Sequence, residues 1–439
     1  MTAAVASPRP GRTSRRTILA WCLYDWANSP FTTLVVTFIY ATYFTQAIAP
    51  DAIVGTTWWS RGVTITALTV ALLSPVFGAA ADRGGLRRRF LLIATVVCVL
   101  ATVGLTFVAP GTPSAVPLAL TVFVIANIAF EMGMVFYNSL LPVVATREQL
   151  GRVSGYGWGL GYLGGLAALA IALVGFVQPE IPWFGLTREA GFHIRATNLL
   201  VAVWLVVFSI PIFVALPPET RARGRAGPRQ AFAELRETFR EIRRFRETAK
   251  FLLARLVYND ALITIFAFGG IYAAGTFGMT TAEIIVFGIV INLFAGLGAF
   301  GFGFMDDRSG GKKTVMVSIV SLTVATGIAL WAPSRPWLWV AACLIGVFAG
   351  PNQAASRSLM ARFTPEDRRS EFFGFFAFSG KFTAFLGPLL FGATTQAFGT
   401  QRAGVACVLV LFVIGGLLLA RVDEGEGIRA AEGGEAARR

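Results

Sequence analysis

About twelve long apolar stretches, set apart by short polar turns, run through the 439 residues and restrict the possible folds more than any other feature. A helix needs about 20 mostly apolar residues to cross the hydrocarbon of a bilayer, and most of these stretches reach that length. In the first half they fall at 18–48, 59–81, 90–108, 116–141, 153–177 and 197–216. In the second half they fall at 249–274, 282–304, 314–332, 336–361, 371–392 and 403–421. The chain is 55% hydrophobic and only 14% charged, against about 25% charged residues in soluble domains. An all-α integral membrane protein is therefore expected.

A formal net charge of +14 would ordinarily suggest nucleic acid. Its placement excludes that reading. Lysine and arginine gather in the N-terminus, 82–89, 142–152, 217–248, 305–313, 362–370 and the C-terminal tail. The alternate loops are almost free of them, with Arg188, Arg195, Arg335 and Arg402 as exceptions. This alternation is the positive-inside pattern, and it predicts both termini on the cytoplasmic face of the inner membrane. Residues 1–17 then form a cytoplasmic tail, and the first span, which lacks a convincing cleavage site, stays attached. Between the halves lies a linker, 217–248, in which Phe232, Leu235, Phe239 and Ile242 recur at helical spacing; an amphipathic helix on the inner leaflet is expected. The tail 422–439 is rich in Gly, Glu, Ala and Arg and is expected to be disordered.

The two halves, 18–216 and 249–421, echo each other. Asp82-Arg83-Gly84-Gly85 precedes a basic cluster after the second stretch, and Asp307-Arg308-Ser309-Gly310 precedes one after the eighth. An acidic residue at a helix end can cap or pair with neighbouring helix ends, so Asp82, Arg83, Asp307 and Arg308 are gating candidates. Ser139-Leu140 and Gly155 recur as Ser358-Leu359 and Gly374 at the same spacing. Six-plus-six helices related by a parallel repeat predict two bundles around a central pathway that opens alternately to each side. Glycines concentrated in the fifth and eighth stretches suit close helix packing.

Polar groups inside the apolar stretches mark the pathway, because each is costly in hydrocarbon without a partner or water. Asp25 and Asn28 share a helical face in the first stretch, and Pro30 frees a backbone carbonyl and can bend the helix. Glu131 lies midway along the fourth, on one face with Met134 and Asn138, and can bind a cation or take up a proton. Asp260 in the seventh follows Tyr258-Asn259, a partial copy of the first-stretch arrangement. Asn292, Asn352 and Lys381 are the second-half candidates; Lys381 is placed either to compensate Glu131 across the cavity or to receive a substrate carboxylate. Arg357 can be read as snorkelling to the interface.

Enzymatic chemistry has little support. There is one histidine, the four cysteines lack metal-ligand spacing, and no Gly-Lys-Ser/Thr phosphate loop is present, so no metal and no cofactor are expected.

The paired Asp-Arg-Gly/Ser-Gly-basic turns resemble those of the major facilitator superfamily, and Tyr24-Asp25-Trp26-Ala27-Asn28-Ser29 resembles the signature of its Atg22-like branch. That branch includes vacuolar amino-acid effluxers and many bacterial proteins. The resemblance implies twelve helices in two six-helix bundles and secondary active transport of a small polar solute, such as an amino acid or peptide-like compound. It also implies coupling to protons or an ion gradient. Membrane lipids and a small-molecule substrate are the expected partners, and a monomer suffices to enclose a pathway. A drug or metabolite exporter and a non-transporting scaffold or receptor are the alternatives.

Overall fold

The computed structural model describes residues 14–216 and 244–436. Among them are twelve helices long and apolar enough to cross a membrane: Arg15–Ile48, Ile53–Gly84, Arg87–Thr106, Ala115–Val144, Arg147–Val177 and Glu189–Ala215, then Arg246–Phe277, Glu283–Ser309, Gly311–Trp331, Arg335–Arg362, Glu366–Phe398 and Gln401–Ala420. One helix stands for each expected stretch, most of them extended past the apolar run. The outward faces carry large apolar side chains, with Leu100 at 65% exposure, Val214 at 78% and Leu417 at 63%. A soluble monomer does not expose such a surface, so these faces belong in lipid. The chain is a multi-pass integral membrane protein.

The fold is a duplicated six-helix bundle. In the first half the first helix packs on the fifth and sixth, the second on the fourth, and the third on the fourth and sixth. The second half repeats this six helices later: seventh on eleventh and twelfth, eighth on tenth, ninth on tenth and twelfth. The halves meet chiefly through two related pairs, the second helix against the eleventh and the fifth against the eighth.

Glycine makes those seams close. A Cβ on Gly155 would stand 2.3 Å from the carbonyl oxygen of Ala299 on the eighth helix, and one on Gly78 2.2 Å from that of Ser370 on the eleventh. Gly157, Gly161 and Gly164 turn the other face of the fifth helix toward the first, against Asp25, Ser29 and Trp26. The first helix loses regular α geometry after Pro30, with π-helical turns at Phe31–Phe38 and Phe44–Ile48. Proline has no N–H to give the Trp26 carbonyl, and the indole of Trp204 on the sixth helix donates to that oxygen at 3.1 Å.

The tail departs from expectation. Glu424–Ala436 is a helix, not a disordered tail. Val422 and Ala431 are buried, and the Glu424 carboxylate accepts the backbone N–H groups of Gly311 (2.9 Å) and Lys312 (3.1 Å), capping the ninth helix. Composition misled here because the docking partner, an uncapped helix start, lies more than a hundred residues away. The amphipathic helix expected around Phe232 to Ile242 lies outside the described residues, as does most of the 1–17 tail.

Candidate functional site

Between the bundles lies a cavity of about 1220 Å³. Its mouth is lined by residues such as Thr42, Gln46, Val177 and Gly191, far from the termini. The floor contains Asp25, Asn138 and Arg357. Beyond that floor, on the face that carries both described chain ends, the two halves are sealed together.

The seal follows from uncapped helix starts. The fifth and eleventh helices each begin on the termini face with amide groups that have no partner within the helix. Asp82, at the end of the second helix, accepts from the N–H groups of Ser370 (3.0 Å) and Glu371 (2.9 Å) on the eleventh. Asp307, at the end of the eighth, accepts from Gly151 (2.8 Å) and Arg152 (3.3 Å) on the fifth. Each half thus caps a helix of the other through the duplicated turn, and the negative charge also suits the positive helix end. Gly85 at φ 58 and Gly310 at φ 93 take the left-hand region that lets each chain reverse there.

Of the paired arginines, Arg83 is half-buried and Arg308 is exposed; Arg308 forms no ion pair among the described residues. The cross-half caps come from the aspartates. Sequence reasoning passed over Asp306, whose buried carboxylate accepts from Arg362 of the tenth helix at 2.7 Å and from the Ser358 hydroxyl. The Asp306-Asp307 doublet, absent from the first copy, was the available signal.

Deeper in, the floor is an ion pair between halves. Arg357 of the tenth helix donates from Nη1 to Asp25 Oδ2 of the first at 2.9 Å, with only 2% and 7% of the two side chains exposed. The same guanidinium donates to Asn138 Oδ1 (3.2 Å), Ser154 Oγ (2.9 Å) and the Ser154 carbonyl (2.7 Å), and lies 4.7 Å above the Trp21 ring. Snorkelling does not describe Arg357: it points inward because an acid placed 332 residues away needs its charge. Higher on the wall, Lys381 Nζ donates to Glu131 Oε1 at 2.5 Å, again across the halves.

The remaining candidates divide. Asn28, with its amide 3.3 Å from Met134 Sδ, and Asn292, bonded to the Gly288 carbonyl at 2.8 Å, both line the cavity. Asn352 does not; it is buried and donates to Ser318 Oγ of the ninth helix at 2.9 Å, tying two helices of one bundle. Asp260 also lies off the cavity wall, and its Oδ2 accepts the Gly387 N–H at 2.9 Å. That bond caps the second piece of the eleventh helix, which breaks after Lys381. Arg255 of the seventh helix is the cavity-lining charge that sequence reasoning missed.

The family described as "Vacuole effluxer Atg22 like" matches residues 61–152 and 145–432. The chain is 28% identical to the "Uncharacterized MFS-type transporter YxiO" of Bacillus subtilis over 92% of its own length and 94% of that protein. It is 23% identical to "Autophagy-related protein 22-1" of Penicillium rubens over 65% of its length, spanning about half of that longer relative. Among solved structures it resembles the proton:xylose symporter XylE, with a TM-score of 0.72 and 12% identity over 95% of this chain and 98% of that one. The human organic anion transporter MFSD10 is similar, with a TM-score of 0.70 and 16% identity over 94% and 100%. These likenesses establish the major facilitator fold.

Proposed function

This chain belongs to the vacuole effluxer Atg22-like family, and on that premise we propose that it is a secondary active transporter, a bacterial member working in the cytoplasmic membrane. It moves a small polar solute by alternating access. The observation that carries this reading is a cavity between the halves with a cross-half ion pair at its floor and cross-half helix caps beyond it. Such a floor can part while each six-helix core stays packed, so the cavity can open on the termini face by rocking one bundle against the other.

Basic residues in the termini-side loops support reading that face as the cytoplasmic one. The described conformation is then outward-open. Glu131 is our proton site: protonation would release Lys381 and remove one tie between the halves. An amino acid or peptide-like compound is the first solute to test, from the resemblance of the Tyr24–Ser29 block to the effluxer branch. An exporter of apolar drugs is less well supported, because five charged side chains line the cavity. A monomer is sufficient, since one duplicated chain encloses the route.

Proteoliposomes holding the purified chain, offered a mixed pool of metabolites with and without an imposed pH gradient, test the proposal. Gradient-driven accumulation of a polar solute is expected; no movement of any solute under either condition would reject it.

A further inference from the structure

The five charged groups on the cavity wall do not balance. Asp25 faces Arg357 and Glu131 faces Lys381, which leaves Arg255 as the one cation there without a carboxylate among the described residues. It is not exposed to bulk water either, at 7% accessibility. Its Nη1 donates to the Phe376 carbonyl (2.8 Å) and Ser379 Oγ (2.9 Å) of the eleventh helix, and the guanidinium carbon sits 3.6 Å from the centre of the Phe376 ring. Nε is shut off from water without an acceptor, and Nη2 has none among the described residues. The acid nearest in sequence, Asp260, turns its carboxylate to the Gly387 amide instead.

A buried guanidinium held only by neutral oxygens and one ring lacks the counter-charge that a low-dielectric site demands. Tethering the seventh helix to the eleventh would need only a neutral donor, so the charge itself calls for another account. Of the donors left over, Nε–H is covered by protein, so Nη2–H is the one open to an oxygen of a solute's carboxylate. Gly380 keeps room at the Nη end of the guanidinium: a Cβ there would come 2.8 Å from Nη1 and 3.1 Å from Nη2. One turn along from Arg255, Asn259 lines the same cavity.

We propose that Arg255 is the anion-binding element of the cavity and that the solute carries a single carboxylate, held at Nη2 of Arg255. One unmatched positive charge suits a monoanion better than the dianion of a phosphate ester. This assignment rests on the transport reading above and sharpens it to a substrate class.

The test uses the purified full-length chain and matched probes: acetate, L-alanine, phenylacetate and L-phenylalanine, each beside its primary amide, with phenyl phosphate as a further arm. Ligand-induced thermal shifts rank their affinities. At least one carboxylate should bind wild type about tenfold more tightly than its amide. Arg255→Gln should erase that preference, and Arg255→Lys should keep part of it. Gly380→Ala, which crowds the guanidinium without removing it, should weaken the carboxylate and spare the amide; it serves if Arg255→Gln does not fold. A purely tethering arginine would not move the carboxylate-to-amide ratio. The proposal is overturned if no carboxylate binds, if amides bind equally well, if phenyl phosphate binds more tightly than every carboxylate, or if the preference survives Arg255→Gln. Binding without movement across proteoliposomes would leave the anion site standing and remove the transport reading. Equal transport of a carboxylate and its amide, unchanged in Arg255→Gln, would do the reverse.

Discussion

Replacing Asp25 by Asn keeps the side chain's shape and takes away the charge that Arg357 faces at 2.9 Å. With 2% of the Arg357 side chain and 7% of the Asp25 side chain exposed, water does little to screen the pair. Removing one partner of a buried ion pair costs about 3–5 kcal/mol. The neutral acceptors that remain, Ser154 Oγ, the Ser154 carbonyl and Asn138 Oδ1, put this case near the lower end, about 3 kcal/mol. The penalty falls on the conformation sealed at the termini face. Once the halves separate there, Arg357 reaches water and the cost disappears. The equilibrium between the two conformations should therefore shift by about two powers of ten toward opening at the termini face. Spin labels at Glu148→Cys and Ser309→Cys, exposed positions on opposite halves, measure the gap once the partly buried Cys343 and Cys407 are replaced. Wild type should give a short separation and Asp25→Asn a longer one. Adding Arg357→Gln to Asp25→Asn should return the distribution toward the short distance, since no buried charge is then left unmatched. A distribution unchanged by Asp25→Asn would refute the reasoning, for it would mean that neutral acceptors alone hold Arg357.

Glu131→Gln should abolish gradient-driven accumulation in proteoliposomes while leaving solute exchange; unchanged accumulation would discard Glu131 as the proton site. Asp82→Asn and Asp307→Asn each weaken one cross-half cap, with an expected loss of about 1 kcal/mol apiece from the sealed state. The same spin-label pair should show the double variant more open than either single one. Gly155→Ala brings a methyl group within 2.3 Å of a backbone oxygen that cannot rotate away, so it should open the termini face more than an alanine at Gly301, which has open space around it. Truncation after Val422 removes the Glu424 cap of the ninth helix and should lower the unfolding temperature, read by the melting of the purified protein. An unchanged melting point would mean that the tail helix adds nothing to the bundle.

What could be read without coordinates was what depends on neighbours along the chain. Pro30 announced a break in the first helix, and the break is there, with the freed Trp26 carbonyl taken by Trp204. Glu131, Met134 and Asn138 share a cavity-facing surface because residues three, four and seven apart do so on any helix. Asn352 and Asp260 followed the same logic and lie elsewhere. A polar residue inside an apolar helix must face a partner, but helical spacing does not say whether that partner is the pathway, Ser318 of a neighbouring helix or the Gly387 amide.

Lipid as the solvent, the twelve spans and the doubling of the halves were determined by the sequence alone, since burial in hydrocarbon demands long apolar runs and a duplicated pattern leaves its trace in order. Only the tertiary structure decided which charges meet. The partners Asp25 and Arg357, Glu131 and Lys381, and Asp82 and the eleventh helix start are separated by hundreds of residues and joined by the packing of two bundles. Electrostatic pairing depends on distance in space, and in a helical membrane protein that distance is set by glycine-lined seams between helices that no local spacing records. For the same reason Arg255, an unremarkable arginine near the start of an apolar run, stood out as the one cavity cation without a carboxylate among the described residues only when every other partner had been placed.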